Sequence, residues 1–195
     1  AKYAKNGHDV FVCEVTSGKD KKRLANIRSE ALQAHKILGV KDTFFLDLPV
    51  VGLADIPTKN LNKALHDVVM EIKPDIAYIP HKGDMHIDHT MVAESAMVAL
   101  RPVNSPQLKA IYVYETLSET EWNIPTPDNS FVPNVWSDIT ETIDKKIEAM
   151  KCYKSQLHDF PHPRSLEAIE ALSKFRGSTI CVKNAESFML VRSKI

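Results

Sequence analysis

Glycine is scarce, with six in 195 residues, too few for the many tight turns of a hairpin-rich β-sandwich. No stretch of about 18 apolar residues occurs, so no segment reads as a membrane span. Neither a G-x-G-x-x-G element nor a Walker-type loop is present, which removes the obvious nucleotide signals. Charge of one sign is missing too: 25 Lys and Arg balance 25 Asp and Glu. That leaves no basic stripe for nucleic acid and no acidic solvating tail. The three cysteines, Cys13, Cys152 and Cys181, are odd in number and have no close pair. That pattern argues against a disulfide framework and a Cys-based zinc site. Cys13 and Cys181 lie in apolar runs and read as small hydrophobes, with a reducing, cytoplasmic setting as the default. Repeats and low-complexity segments are absent, and the length fits one domain.

What is present is an alternation. Ala1 to Gly7 lack the apolar core of a signal peptide and read as the last turn of a helix. Val10 to Val15 reads as a buried strand, and Leu24, Ile27, Ala31, Ala34 and Leu38 then recur at helical spacing until Gly39. Thr43 to Leu48 is the next strand. Thr58 is a candidate cap for a helix with Leu61, Leu65, Val68 and Ile72 inward, stopped by Pro74. Asp75 to Ile79 and Lys109 to Glu115 read as strands, and Thr90 to Leu100 between them as a helix. Thr116 to Pro133, polar and proline-bearing, reads as a long loop over one end of the sheet, a candidate lid. Asn134 to Ile139 is strand-like, and Thr140 to Leu157 is predicted helical. Ser165 caps a further helix ended by Gly177, and Ser187 to Val191 closes the chain as a strand. The fold class this predicts is α/β, Rossmann-like, with a mostly parallel sheet and helices on both faces. Opening such a sheet on a helix remnant predicts an N-terminal truncation of on the order of 20–30 residues, one strand–loop–helix entry.

Chemistry concentrates in Pro80-His81-Lys82-Gly83-Asp84-Met85-His86-Ile87-Asp88-His89. Ligands of open α/β sheets sit outside the carboxyl ends of strands, where this loop lies. Imidazole and carboxylate suit a divalent metal such as zinc. His86 and His89, three apart at a helix start, can approach one centre. Asp88 is the expected N-cap, or alternatively the carboxylate that fixes an imidazole tautomer. His81 is open between facing a substrate and simple exposure, and Asp84 between a functional carboxylate and a turn residue after Gly83. His8, His35 and His66 have no partner motif and read as structural or surface residues. His158 and His162 flank Pro161 in what reads as a turn, a metal-binding pair being the alternative.

These residues resemble the PIG-L/LmbE-like zinc de-N-acetylases along nearly the whole chain. The resemblance rests on Ala4-Lys-Asn-Gly-His-Asp-Val-Phe-Val, Arg28-Ser-Glu30 with Ile37-Leu-Gly39, Phe45-Leu-Asp-Leu-Pro49 and Lys73-Pro-Asp-Ile76. It continues through His86-Ile-Asp-His89, Ile143-Asp-Lys-Lys-Ile-Glu-Ala149, Lys154-Ser-Gln156 and Ala185-Glu-Ser-Phe188. The resemblance implies hydrolysis of an N-acetylated amino sugar or glycoside, with release of acetate. It implies Zn2+ as cofactor, Fe2+ or another divalent metal being a variant, and a small sugar substrate as partner. His89 matches the third zinc ligand. His86 matches the imidazole that stabilises the oxyanion or protonates the leaving amine, and Asp88 matches its orienting carboxylate. Arg28 and Asp47 fall where family members contact substrate, Arg28 remaining open to a surface ion pair with Glu30. The family's His-Pro-Asp-Asp-Glu segment, which supplies two further ligands and the general base, is expected upstream of Ala1. The sequence is thus expected to form a single deacetylase domain over 1–195 without its first strand and metal-binding loop.

Two rivals stand beside it. Asp84-Met-His86-Ile-Asp88-His89 fits most of the H-x-H-x-D-H element of metallo-β-lactamase-like hydrolases, although long helices and few glycines disfavour that fold. A Rossmann-like binding module without catalysis is the other. Neither the acylated substrate nor the oligomeric state, homo-oligomer included, is written in the sequence.

Overall fold

The computed structural model describes residues 1–195. In chain order the elements are α1 (Lys2–Lys5), β1 (Phe11–Ser17), α2 (Lys21–Leu38), β2 (Asp42–Pro49), a 3-10 turn (Leu53–Asp55), α3 (Thr58–Ile72), β3 (Ile76–Pro80), α4 (Ile87–Ala99), β4 (Ala110–Tyr114), β5 (Val135–Asp138), α5 (Ile143–Cys152), α6 (Leu166–Ser178) and β6 (Ala185–Ser193). This is the expected α/β architecture. β1 and β2 pair in one sheet, and the other runs β3-β4-β6-β5. β3 and β4 are parallel, whereas β4 and β6 are antiparallel, so this sheet is mixed where a mostly parallel one was expected. No helix is long and apolar enough to cross a membrane.

The chain divides into two compact units, residues 1–45 with 136–186 and residues 46–135 with 187–195. In the first, Asp20 caps α2 by accepting from the Lys22 and Arg23 N–H groups, and Gly39 closes it in the left-handed conformation at φ 78. That conformation suits glycine, which has no Cβ to clash. α2 packs on α5. Ala31, Ala34 and Ala149 are all nearly fully buried, and small side chains let two helices approach closely. Glu30, also buried, accepts hydrogen bonds from the Ser155 N–H (3.1 Å) and hydroxyl (2.6 Å). α5 spans Ile143–Cys152 rather than Thr140–Leu157. At its front the Thr142 N–H turns back to Ile139 O, and beyond its end the chain is held by Glu30. α6 is capped by Ser165 as expected. Gly177, however, lies inside α6, because a Cβ there would sit 2.6 Å from the Val182 carbonyl oxygen. Close approach, not helix termination, requires that glycine.

In the second unit, α3 buries Leu61, Leu65 and Val68 and packs on α4, whose Ala93, Ala96 and Ala99 are buried. Burying a leucine-sized side chain contributes about 1.5–3 kcal/mol. Thr58 does not cap α3: Pro57 occupies the cap position, without a side-chain bond. Proline's fixed φ suits the start of a helix, where an N–H would be unsatisfied anyway. In the sheet, Ile76 faces Ala110 and Pro80 faces Tyr114, with Tyr114 opposite Phe188 across the other edge of β4. Ile111 at its centre is fully buried. This frame brings β3 to an end at Pro80 and starts α4 at Ile87, leaving six residues to bridge them.

Candidate active site

The bridge begins with His81, which is buried. Its Nε2 lies 3.0 Å from the Asn129 carbonyl oxygen, and because a carbonyl only accepts, Nε2 carries the proton. The ring also meets Phe131 edge-on at 5.5 Å. His81 is therefore not a solvent-exposed residue; it fastens the strand end to the loop at 129–131. Gly83 allows that fastening, since a Cβ there would fall 2.6 Å from Asn129 O. The Asn123 side-chain amide donates to Gly83 O at 2.6 Å, and the Met85 N–H donates to Glu119 O at 3.1 Å. The long loop from Thr116 to Pro133 is thus stitched along the histidine-bearing turn.

Asp84 is not simply a turn residue after Gly83, because its side chain is buried and paired at both oxygens. Its side chain is wholly excluded from solvent. One oxygen accepts from the Thr120 hydroxyl at 2.6 Å, and the other lies 2.8 Å from His89 Nδ1. An ionised carboxylate can only accept, so His89 carries its proton on Nδ1 and presents Nε2 as a lone pair. A carboxylate behind an imidazole is the arrangement that prepares histidine to ligate a metal. Burying this anion against two neutral donors is costly, and a cation at His89 Nε2 would offset that cost. Burial, and then the Asp84 charge, push the Tyr114 phenol up to about 12, so it stays protonated.

His86, not Asp88, caps α4: its Nδ1 accepts from the Asp88 N–H at 3.2 Å. Histidine is not among the favoured N-cap residues, and Asp is, which is why the sequence pointed to the wrong residue. The cap leaves the neutral ring's proton on Nε2. Asp88 is buried at the second position of α4. One carboxylate oxygen accepts from the Val51 N–H at 2.7 Å; the other is buried with no partner. Its oxygen stands 4.0 Å from His86 Nδ1, beyond hydrogen-bond reach. The expected Asp88–His86 link is therefore made by the backbone N–H rather than the carboxylate. The His86 and His89 rings stack at 5.4 Å and 21°, each about 30% exposed. His86, Asp88, His89 and Asp84 come together. They supply one prepared donor nitrogen and one orphaned buried oxygen, chemistry that fits a divalent metal at His89, while no three His, Cys, Asp or Glu side chains form a complete ligand set.

The two residues expected to touch substrate lie in different units. Arg28 is on α2, its guanidinium 4.5 Å above the Phe45 ring, a cation–π contact. Asp47 is exposed within β2 at φ 56. The other histidines are structural or on the surface. His35 Nδ1 meets the Thr43 hydroxyl at 2.9 Å, and Nε2 lies 3.8 Å from Glu14. His8 stands edge-on to Tyr3, and His66 lies 3.9 Å from Asp67. The His158 and His162 rings lie 4.2 Å apart and tilted by 31° in a turn, where His162 Nδ1 accepts from the Arg164 N–H. Cys13 stays a thiol, pushed up to about 11 by burial and then by Glu14, while Cys181 is exposed rather than packed. Thr120, Tyr114 and Val51 went unnoticed in the sequence. Only their distant partners give them meaning.

Three solved structures show the same fold. The conserved protein TT1542 from Thermus thermophilus superposes with a TM-score of 0.76 at 23% identity, covering 100% of this chain and 86% of that one. GalB, the 4-carboxy-2-hydroxymuconate hydratase from Pseudomonas putida, gives 0.77 at 20% identity over 100% and 88%. The N,N'-diacetylchitobiose deacetylase from Pyrococcus horikoshii gives 0.75 at 20% identity over 97% and 75%. A hydratase and a deacetylase on one fold show that the fold alone does not select the reaction. Residues 1–100, which contain His86, Asp88 and His89, match the family described as PIG-L, GlcNAc-PI de-N-acetylase. The chain belongs to the PIG-L family.

Proposed function

We propose that this protein is a zinc-dependent deacetylase acting on an N-acetylated amino sugar or glycoside, Fe2+ or another divalent ion being an alternative metal. The observation that carries the reading is His89, proton fixed on Nδ1 by a fully buried Asp84, with Nε2 left to ligate (2.8 Å between Nδ1 and the carboxylate). A divalent metal held there supplies Lewis-acid polarisation of an amide carbonyl and an activated water. His86 offers its Nε2–H to the oxygen that gains charge as the carbonyl is attacked, a contribution typically among the largest in such reactions. Once Nδ1 has also taken a proton, the imidazolium can give its Nε2 proton to the departing amine, which cannot leave as an anion, and return to the neutral ring.

Asp88 serves His86 in both protonation states. In the neutral ring its N–H donates to Nδ1. When Nδ1 takes a proton it can no longer accept, and the Asp88 carboxylate, 4.0 Å away, becomes the group that favours the imidazolium. Arg28 and Asp47 are proposed as substrate contacts on the strength of the family resemblance. The test is to incubate the intact protein, with zinc, with N-acetylglucosamine glycosides and to quantify acetate and free amine. Equimolar release supports the reading. Turnover without amine, or none across a panel of N-acetyl sugars, contradicts it.

A further inference from the structure

We propose that Thr120 is a positioning residue acting through Asp84 on His89, and that it couples the 116–124 loop to the metal affinity of the site. The inference rests on the reading of His89 as a ligand. Thr120 lies 36 residues from Asp84, and its hydroxyl reaches the histidine only through that carboxylate. The hydroxyl has a defined sense of donation. Its oxygen accepts from the Thr116 N–H at 2.8 Å, while the Thr120 N–H returns to Thr116 O at 2.9 Å. With that lone pair engaged, the hydroxyl hydrogen is directed at Asp84, 2.6 Å away.

One carboxylate oxygen is thereby committed to Thr120, leaving the other for His89 Nδ1 at 2.8 Å. The Asp84 side chain has no solvent exposure, so water cannot replace a lost donor. The Thr116 N–H donates to the Thr120 hydroxyl, and that hydroxyl and the His89 Nδ1–H converge on the two oxygens of Asp84, which leaves the lone pair on His89 Nε2. Withdrawing the hydroxyl leaves a buried oxygen unsatisfied and frees the carboxylate to turn, so the Asp84–His89 bond that enforces the tautomer is no longer held in place. The loop carrying Thr120 is pinned beside the site by Glu119 O and Asn123. A ligand that moves this loop would therefore also alter the donor strength of His89.

The experiment compares the intact protein with Thr120→Val, which keeps shape and loses the hydroxyl, and Thr120→Ser, which keeps the hydroxyl. Long-range nitrogen–proton NMR at alkaline pH reads the His89 tautomer, and competition with a chromogenic chelator reads Zn2+ affinity. Wild type is expected to show the proton on Nδ1. Thr120→Val is expected to lose that preference and weaken Zn2+ by about 10–100-fold, the usual effect of removing an outer partner of a metal ligand. Thr120→Ser is expected to retain both. A folded Thr120→Val with unchanged tautomer and unchanged Zn2+ affinity overturns the role. A wild-type His89 with its proton on Nε2 also overturns it, whatever the variants do. Tautomer loss in Thr120→Val combined with no Zn2+ uptake by wild type overturns instead the reading of His89 as a ligand.

Discussion

Gly83→Ala puts a methyl group where the structure has no room for one. An ideal Cβ at this position falls 2.6 Å from Asn129 O, 2.6 Å from His81 Nε2 and 2.7 Å from Asn129 Cα. Carbon contacts are comfortable only near about 3.5–4.0 Å, so the two segments must part by roughly 1 Å. Neither neighbour yields easily, one being backbone and the other a buried ring. Gly83 is not among the positive-φ glycines, so the cost is steric. Parting the segments sacrifices the His81–Asn129 bond of 3.0 Å and strains the Asn123–Gly83 bond of 2.6 Å. Overpacking costs about 1–3 kcal/mol, and each hydrogen bond lost adds about 0.5–1.5 kcal/mol. The expected destabilisation is about 1.5–4.5 kcal/mol, read as a fall in the urea midpoint of on the order of 1–2 M at unchanged slope. Proteolysis within 123–131 should accelerate in parallel. A loss below about 0.5 kcal/mol, typical of an unconstrained surface site, with wild-type proteolysis would refute the packing of this loop on the histidine turn.

Val51 sits at φ 56, costly by about 1–2 kcal/mol for a side chain with a Cβ, and is 67% exposed. Val51→Gly should therefore raise the unfolding temperature modestly, after about 0.4–1 kcal/mol is returned to unfolded-state entropy; a clear fall in calorimetry contradicts this. Burial lowers the His35 pKa below its ordinary 6.5, so the unfolded chain takes the proton first. The stability this gives is complete above about 6.5 and is lost as pH falls through the folded value. His35→Gln should flatten that acid-side decline in denaturant midpoints, and an unchanged slope would rule it out. Glu14 works in the opposite sense, because burial raises its carboxyl pKa above 4.5 despite Arg28; its contribution is present below the unfolded value and lost as pH rises through the folded one. His86→Ala should keep its metal and slow turnover by on the order of 10²-fold or more. It should also lose about 1 kcal/mol of helix capping; normal kcat with full metal content excludes the catalytic role.

The strand–loop–helix frame around residues 76–99 was legible because each part is local: an apolar run, a polar break and a helical repeat. Leu61, Leu65 and Val68 showed themselves for the same reason, since burial on one face of a helix is periodic in sequence. Fine placement in the site was less readable. His86 took the cap that residue preferences assign to Asp88, because the Asp88 carboxylate is drawn to the Val51 N–H. Asp84 stayed ambiguous because Gly-Asp is equally a turn pair, and its decisive partner, Thr120, comes from a loop without periodic pattern. The antiparallel β4–β6 pairing was likewise beyond the sequence, strand direction being set by connections across the fold rather than by the strand's own residues. Gly177 shows the limit in reverse: a glycine at a helix end reads as a stop, yet here it serves a close backbone approach.

The measurement closest to the central claim is the zinc content of the intact protein beside that of His89→Ala, after equilibration with Zn2+ and removal of excess. With His89 as a ligand oriented by Asp84, wild type retains stoichiometric zinc and the variant loses it while keeping its circular dichroism spectrum. Equal zinc in both proteins, or none in wild type, contradicts the account.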